Sequence, residues 1–261
     1  MKFRFHARAA IIGAAFGLAT LSAMPVQAQE KADTTVVSTD PLVTATTGMT
    51  AEERAAYVRD YWAVDMSLES DLDNILFLDL SNGGRVAIRL KPQWAPGHVE
   101  RIKALARQGF YDGVIFHRVI EGFMAQTGDP TGTGTGGSPL PDLKAEFNRV
   151  PHLRGSVSAA REGNNDDSAN SQFFIVFYPT MQLDRKYSNF GRVIAGMQFV
   201  DQIQRGQPPV NPTKILQASI ASDRKAPPVT TPMTGPITSE MLSAPIGGDG
   251  VANPGADTRT D

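Results

Sequence analysis

Between Asn74 and Leu90 the chain carries two short, mostly apolar runs with few polar positions. Asn74-Ile75-Leu76-Phe77-Leu78-Asp79-Leu80 and Arg85-Val86-Ala87-Ile88-Arg89-Leu90 read as strands. Asn82-Gly83-Gly84 between them predicts a hairpin, because a tight β-turn needs positive φ. The period then becomes helical. Val99, Ile102, Leu105 and Ala106 share one face after Pro96, which a first helical turn tolerates, and Gly109 suits the stop. Five short apolar runs follow, punctuated by Gly and Pro: Val114–Ile120, Phe123–Thr127, Gly155–Ala160, Ser171–Phe177 and Phe190–Ile194. Met197 to Arg205 predicts a second short helix ending at Gly206, and Ile215 to Ile220 a last strand. This order predicts a mainly β domain over residues 74–222, an antiparallel barrel or sandwich with two helices.

The flanks have a different texture. Lys2, Arg4 and Arg8 precede an apolar run from Ala9 to Ala23, and Val26-Gln27-Ala28 has the small-x-small form of a cleavage site. Residues 1–28 are therefore expected to be a secretory signal, removed on export to the periplasm. Residues 29–73 read as a leader with one short helix. Thr50 and Glu53 form a capping box, and Tyr57, Val58, Tyr61, Trp62 and Asp65 recur at helical spacing over Arg54 to Met66. Packing of that helix on the main domain is preferred to a partner-binding role. Residues 223–261, rich in Pro, Thr, Gly and Ala, are expected to be a disordered tail. No other stretch reaches about 18 apolar residues, so no stable membrane insertion is expected after cleavage.

Loss of residues 1–28 would move the formal net charge from −2 to −5, since it removes three basic groups and no acidic ones. A mildly acidic surface of mixed sign argues against nucleic acid as a partner. The absence of cysteine excludes a thiol nucleophile and a Cys-based zinc site, and four histidines, one in the signal, make a His-rich metal site improbable. Gly132-Thr133-Gly134-Thr135-Gly136-Gly137 satisfies G-x-G-x-x-G, but Pro139 and Pro141 follow where a dinucleotide site needs a helix. A flexible surface loop is the expectation there. Asn164-Asn165-Asp166-Asp167 lacks EF-hand spacing and reads as a solvated turn. Ser156, Ser158, Ser168 and Ser171 coexist with His117 and His152, yet no serine sits in a G-x-S-x-G elbow, so a hydrolase is not expected. His117 and Arg118 are neighbours in an alternating run and should face opposite ways, with His117 buried or at a rim.

What remains is a set of apolar and aromatic residues around one arginine. Phe116-His117-Arg118-Val119-Ile120-x-Gly122-Phe123-Met124-x-Gln126-x-Gly128-Asp129 resembles the cyclophilin signature. Thr133-Gly134 and Gly136-Gly137, Ser158-Ala159-Ala160, Asn170-Ser171-Gln172-Phe173-Phe174-Ile175, Leu183-Asp184 and Phe190-Gly191-Arg192-Val193 resemble that family's later blocks, in order, over about residues 74–222. The resemblance implies an eight-stranded antiparallel barrel capped by two α-helices, with a surface groove for Xaa-Pro segments of unfolded or flexible proteins. It implies peptidyl-prolyl cis/trans isomerase activity and assistance to the folding of exported proteins. Carried over by position, Arg118, Phe123 and Gln126 would act in catalysis. Met124, Ala160, Arg161, Gln172, Phe174, Leu183 and Tyr187 would bind substrate.

Rotation about the bond before proline makes and breaks no covalent bond, so no cofactor, metal or nucleophile is expected. Arg118 would donate to the proline nitrogen as it becomes pyramidal, Phe123, Met124, Phe174 and Leu183 would hold the ring, and Gln126 would orient the substrate backbone. Two positions depart from the pattern of eukaryotic members, and a third from the family's usual residue. Gln182 stands where many members have the tryptophan that supports cyclosporin binding, Tyr187 replaces a histidine, and Arg161 replaces an asparagine and could add an electrostatic preference. A monomer is expected. The rival readings are a non-catalytic holder of Pro-containing chains on the same fold, and a scaffold working through its helix 51–66 and tail.

Overall fold

The computed structural model describes Leu42 and residues 45–228. The expected signal, much of the leader, and the tail beyond residue 228 lie outside these residues. Three α-helices are named here: α1 (Ala51–Trp62), α2 (Pro96–Arg107) and α3 (Met197–Asp201). The strands are β1 (Ile75–Leu80), β2 (Arg85–Leu90), β3 (Arg118–Ile120), β4 (Met124–Thr127), β5 (Ser156–Ala159), β6 (Phe173–Val176), β7 (Asn189–Ala195) and β8 (Ile215–Ile220). They form one antiparallel sheet in the order β3-β4-β6-β5-β7-β2-β1-β8. The two ends are joined through the chain ahead of β3. Gly113 N donates to Ile215 O (2.7 Å), Ile215 N to Val114 O (2.9 Å) and Phe116 N to Thr213 O (2.9 Å). That closes the sheet into the expected barrel. The expected strand from Val114 divides here: its first half makes these closing bonds, and only Arg118–Ile120 pairs regularly.

Alternation decides which side chains fill the barrel. Leu76, Leu78 and Leu80 of β1 and Val86, Ile88 and Leu90 of β2 lie in the main core. Asp79 and Arg85, opposite one another on the outer face, pair through two bonds of 2.7 and 2.8 Å. At the turn Gly83 has φ +86°. Gly84 is required for another reason: a Cβ there would lie 2.0 Å from the Phe199 ring. Helix α2 presses Val99, Ile102, Leu105 and Ala106 into the same core. Its first turn has no cap of its own, and Glu146 supplies one, accepting from Gly97 N (2.9 Å) and His98 N (3.0 Å). The second expected helix is shorter than its sequence suggests, ending at Asp201, with Arg205 folded back onto the carbonyls of Asp201 and Ile203.

Helix α1 starts at Ala51 and stops at Trp62, four residues before the expected end. Its capping box is present, with Thr50 N on Glu53 Oε2 (2.9 Å) and Glu53 N on Thr50 Oγ1 (3.3 Å). Tyr61 joins Leu42, Trp94 and Val150 in a separate apolar cluster, with Tyr57 and Val58 against it. Outer-face cations of β2 and its extension fix the rest. Lys91 Nζ donates to Asp60 O and Ala63 O, both at 2.9 Å, and Trp94 Nε1 to Tyr61 O at 2.6 Å. The Arg89 guanidinium, 2% exposed, donates to the carbonyls of Asp65 (3.1 Å), Ser67 (2.6 Å), Ser70 (3.0 Å) and Asp71 (2.9 Å). The helix ends where these donors capture its carbonyls. Among the described residues no helix is long and apolar enough to cross a membrane.

Candidate functional site

A third apolar cluster lies on the outside of the barrel. Because strand side chains alternate, Val119, Ala125, Ile175 and Val157 point into the core, while a parallel row faces out. That row is Arg118, Gln126, Phe174 and Ser158, which are successive cross-strand partners over β3, β4, β6 and β5. One step along, Met124 and Val176 are partners on the same outer face. Met124, Phe174, Val176 and Leu183 form a buried cluster, with Phe123, Ala160 and Tyr187 packed on it. The resulting groove encloses about 160 Å³ and is lined by Arg118, Phe123, Met124, Gln126, Ala160, Arg161, Phe174, Leu183 and Tyr187. All ten expected site residues therefore meet here except Gln172, which stands behind Gln126. It lines a neighbouring, mainly polar hollow of about 410 Å³ that shares Gln126, Ala160 and Arg161.

The polar edge is a continuous chain of hydrogen bonds. Arg118 Nη1 donates to Gln126 Oε1 (3.2 Å), Gln126 Nε2 to Gln172 Oε1 (2.9 Å), and Gln172 Nε2 to the carbonyls of Gly134 (3.0 Å) and Gly136 (2.8 Å). Arg118 Nε also reaches Gln207 Oε1 at 3.3 Å, a contact that nothing in the local sequence foretells. The glycine-rich run is not a free surface loop. It wraps the buried Asp129 carboxylate, which accepts from the amides of Thr131 (2.7 Å), Gly134 (2.6 Å) and Gly136 (3.1 Å). The anion that a G-x-G-x-x-G loop would offer its amides to is here the chain's own side chain. Burial opposes ionisation of Asp129, but the Thr131 hydroxyl and these amides outweigh it and draw the carboxyl down to about 2.

Tyr187 stands edge-on to Phe174, with ring centroids 5.5 Å apart. Arg161 holds it there, with Cζ 4.8 Å from the Tyr187 ring centroid. The Arg161 guanidinium is itself engaged, by Lys186 O (3.2 and 3.1 Å), Glu162 O (2.7 Å) and Asp166 Oδ1 (3.1 Å). It braces the aromatic wall and does not offer the groove a free charge, which corrects the expected electrostatic preference. Asp166 and Asp167 are exposed as a turn should be, but Asp166 serves this ion pair and Asp167 accepts from Ala145 N. His117 is buried and faces away from Arg118's groove, and burial lowers its pKa.

The structure also brings together three residues whose grouping was not expected from the sequence. Ser158 Oγ lies 2.9 Å from His152 Nε2, and His152 Nδ1 lies 2.8 Å from Asp184 Oδ1. Ser158 and His152 are fully buried, so this is no hydrolase site. Their approach depends on two loops, those of His152 and Asp184, meeting at strand β5, which no spacing rule reports.

Comparisons with known proteins agree with this geometry. Residues 77–220 match the family model described as cyclophilin type peptidyl-prolyl cis-trans isomerase/CLD. A probable peptidyl-prolyl cis-trans isomerase of Brucella suis biovar 1 is 45% identical over 179 residues, covering 62% of this chain and 90% of its own. Among solved structures, a cyclophilin from Hirschia baltica is similar with a TM-score of 0.54 and 29% identity, over 69% of this chain and 83% of its own. A cyclophilin-type isomerase of Cryptosporidium parvum, crystallised in the presence of the dipeptide Ala-Pro, is similar with a TM-score of 0.53 and 28% identity, over 56% of this chain and 98% of its own.

Proposed function

The chain belongs to the cyclophilin-type peptidyl-prolyl cis-trans isomerases, and from that premise we propose that its outer-face groove catalyses rotation about Xaa-Pro bonds with Arg118 as the electrostatic catalyst. The planar amide resists rotation by about 18–20 kcal/mol, because resonance gives the C–N bond double-bond character. Twisting returns the lone pair to the proline nitrogen. A donor aimed at that lone pair is worth more in the twisted state than in either planar state, and only such a difference speeds the reaction. Arginine carries five N–H donors and stays charged. Two of them hold Gln207 and Gln126 in the free groove, so three remain for substrate.

The observation that carries the reading is the pairing of this anchored guanidinium with a dry apolar pocket one residue-row away. Met124, Phe174 and Leu183 are at most 7% exposed and offer the proline ring a hydrophobic seat, with Phe123 at its mouth. Gln126 would serve Arg118 as well as the substrate. Its Oε1 holds Arg118 and its Nε2 is held by Gln172, so it first orients the arginine, with one N–H left for a substrate carbonyl. Preorganisation of this kind spares the donor from reorienting as the bond twists.

Export and assistance to folding are part of the proposal. The basic, apolar and small-residue pattern of residues 1–28 supports a cleaved signal and a periplasmic address. There the clients would be Pro-containing segments of exported chains. Cis/trans exchange of an Ala-Pro peptide, followed by NMR, tests the mechanism. Arg118→Ala should slow catalysed exchange by about a hundredfold, the order seen when one preorganised donor is removed. Undiminished exchange in that variant would overturn it.

A further inference from the structure

Beneath the groove's apolar wall lie the buried Ser158 and His152 and the part-exposed Asp184. The carboxylate accepts at His152 Nδ1, so the imidazole proton is there and Nε2 accepts from the Ser158 hydroxyl. Burial lowers the His152 pKa against the pull of Asp184, consistent with a neutral ring. Two backbone bonds complete the arrangement. His152 N donates to the same Asp184 Oδ1 at 2.8 Å, and His152 O accepts from Thr180 N at 2.8 Å. The short loop from Thr180 to Asp184 is thereby pinned to one histidine at both ends, and Leu183, a wall of the groove, lies between the pins.

The same ring stacks on Phe174, with centroids 6.5 Å apart and planes 21° from parallel. Ser158, which holds the other edge of the ring, is the cross-strand partner of Phe174. One side chain thus ties together the strand pair that carries Phe174 and the loop that carries Leu183, without touching the groove itself. We propose that His152 is a positioning residue for the isomerase: through Asp184, Thr180 and Ser158 it sets the spacing between Phe174 and Leu183, and so the width of the seat for the proline ring. This rests on the reading that the ring enters that pocket.

Width matters because dispersion contacts are short-ranged. A gap of about 0.5–1 Å forfeits roughly a quarter to a half of each contact. The ring keeps its shape while the bond turns, so a loosened seat weakens ground and transition states alike. That raises KM and spares kcat, whereas loss of Arg118 strikes kcat.

The test uses the full chain, the Ala-Pro peptide assay, and near-UV circular dichroism to establish folding. Asp184→Ala releases one pin at a part-exposed site, and His152→Phe keeps a ring on Phe174 while removing both side-chain bonds. Each should raise KM about tenfold with kcat within about twofold, the scale of one lost charge-assisted hydrogen bond. Asp184→Asn, which still accepts from His152, should restore KM to within about threefold of the parent. An unchanged KM in both folded variants would overturn the proposal, as would a loss that merely follows the unfolded fraction or failure of both to fold. Failure of the broader mechanism is distinct: it would appear as undiminished exchange in Arg118→Ala.

Discussion

Replacing Arg89 with Met removes a guanidinium and keeps an unbranched apolar stem in its place. Four carbonyls, those of Asp65, Ser67, Ser70 and Asp71, then lose their donor. At about 1.5–3 kcal/mol for each bond to a charged group, the naive upper bound is about 6–12 kcal/mol. Two effects reduce it. The released carbonyls belong to a largely exposed segment where water can replace the donor, and Met ends the desolvation of a cation that is 2% exposed. The expected loss is about 3 kcal/mol, the low end for removing one partner from a buried charged cluster. In a domain of this size that lowers Tm by roughly 6–12 °C. Arg89→Lys should lose about half as much, since a compact ammonium cannot span four carbonyls. Urea unfolding reports this directly, because both tryptophans lie in the affected region. Trp62 is on α1, and the Trp94 indole bonds to Tyr61 O. Detachment of the N-terminal segment should move the fluorescence transition ahead of far-UV circular dichroism. Exchange catalysis at 25 °C should persist, because β2 lies four places from β4 in the eight-stranded order. A loss under about 1 kcal/mol, with coincident transitions, would refute the assignment of Arg89 as the anchor.

Asp129 supplies a pH signature. Its folded pKa of about 2 lies below the unfolded value near 3.9, so its contribution is complete above about pH 4 and is lost as pH falls through about 2. The stability gap between the parent and Asp129→Asn, measured by urea titration, should therefore shrink over that window; a gap constant from pH 5 to pH 2 would contradict it. Gln182 is exposed beside Leu183, at the position where the resemblance implied a tryptophan that supports cyclosporin binding in many cyclophilins. Weak inhibition is expected in the peptide assay, and a sub-micromolar inhibition constant would refute it.

Two short apolar runs about Asn82-Gly83-Gly84 made the β1–β2 hairpin legible, and helical spacing did the same for α2. The groove was legible through its ordered blocks, because its outward row is written into three short strands as Arg118, Gln126 and Phe174. Other features depend on what covers a surface, which a pattern does not report. Arg89 and Lys91 occupy outward positions of an alternating strand and look solvent-facing. They are buried because the chain before β1 folds over them, and that contact also ends α1 before the apolar spacing of Trp62 and Met66 runs out. Arg161 looked like an added charge, but a turn carboxylate and two carbonyls consume it. The glycine-rich run looked like a loop without a ligand, and its ligand, Asp129, lies just ahead of it in the chain.

These corrections share a physical cause that bears on the proposed mechanism. A bond rotation needs no proton transferred and no nucleophile unmasked, so the catalyst is only as good as the fixity of one donor and one seat. Two separate networks provide that fixity. From Asp129 the bonds run through the amides and carbonyls of the glycine-rich loop to Gln172, Gln126 and Arg118. From Asp184 they run through His152 to Ser158 and, by stacking, to Phe174. Each begins at a carboxylate and ends at a wall of the groove, and neither exposes an acid or base to the substrate. The polar residues that seemed surplus to an isomerase are those that keep its few working side chains from relaxing when the groove is empty.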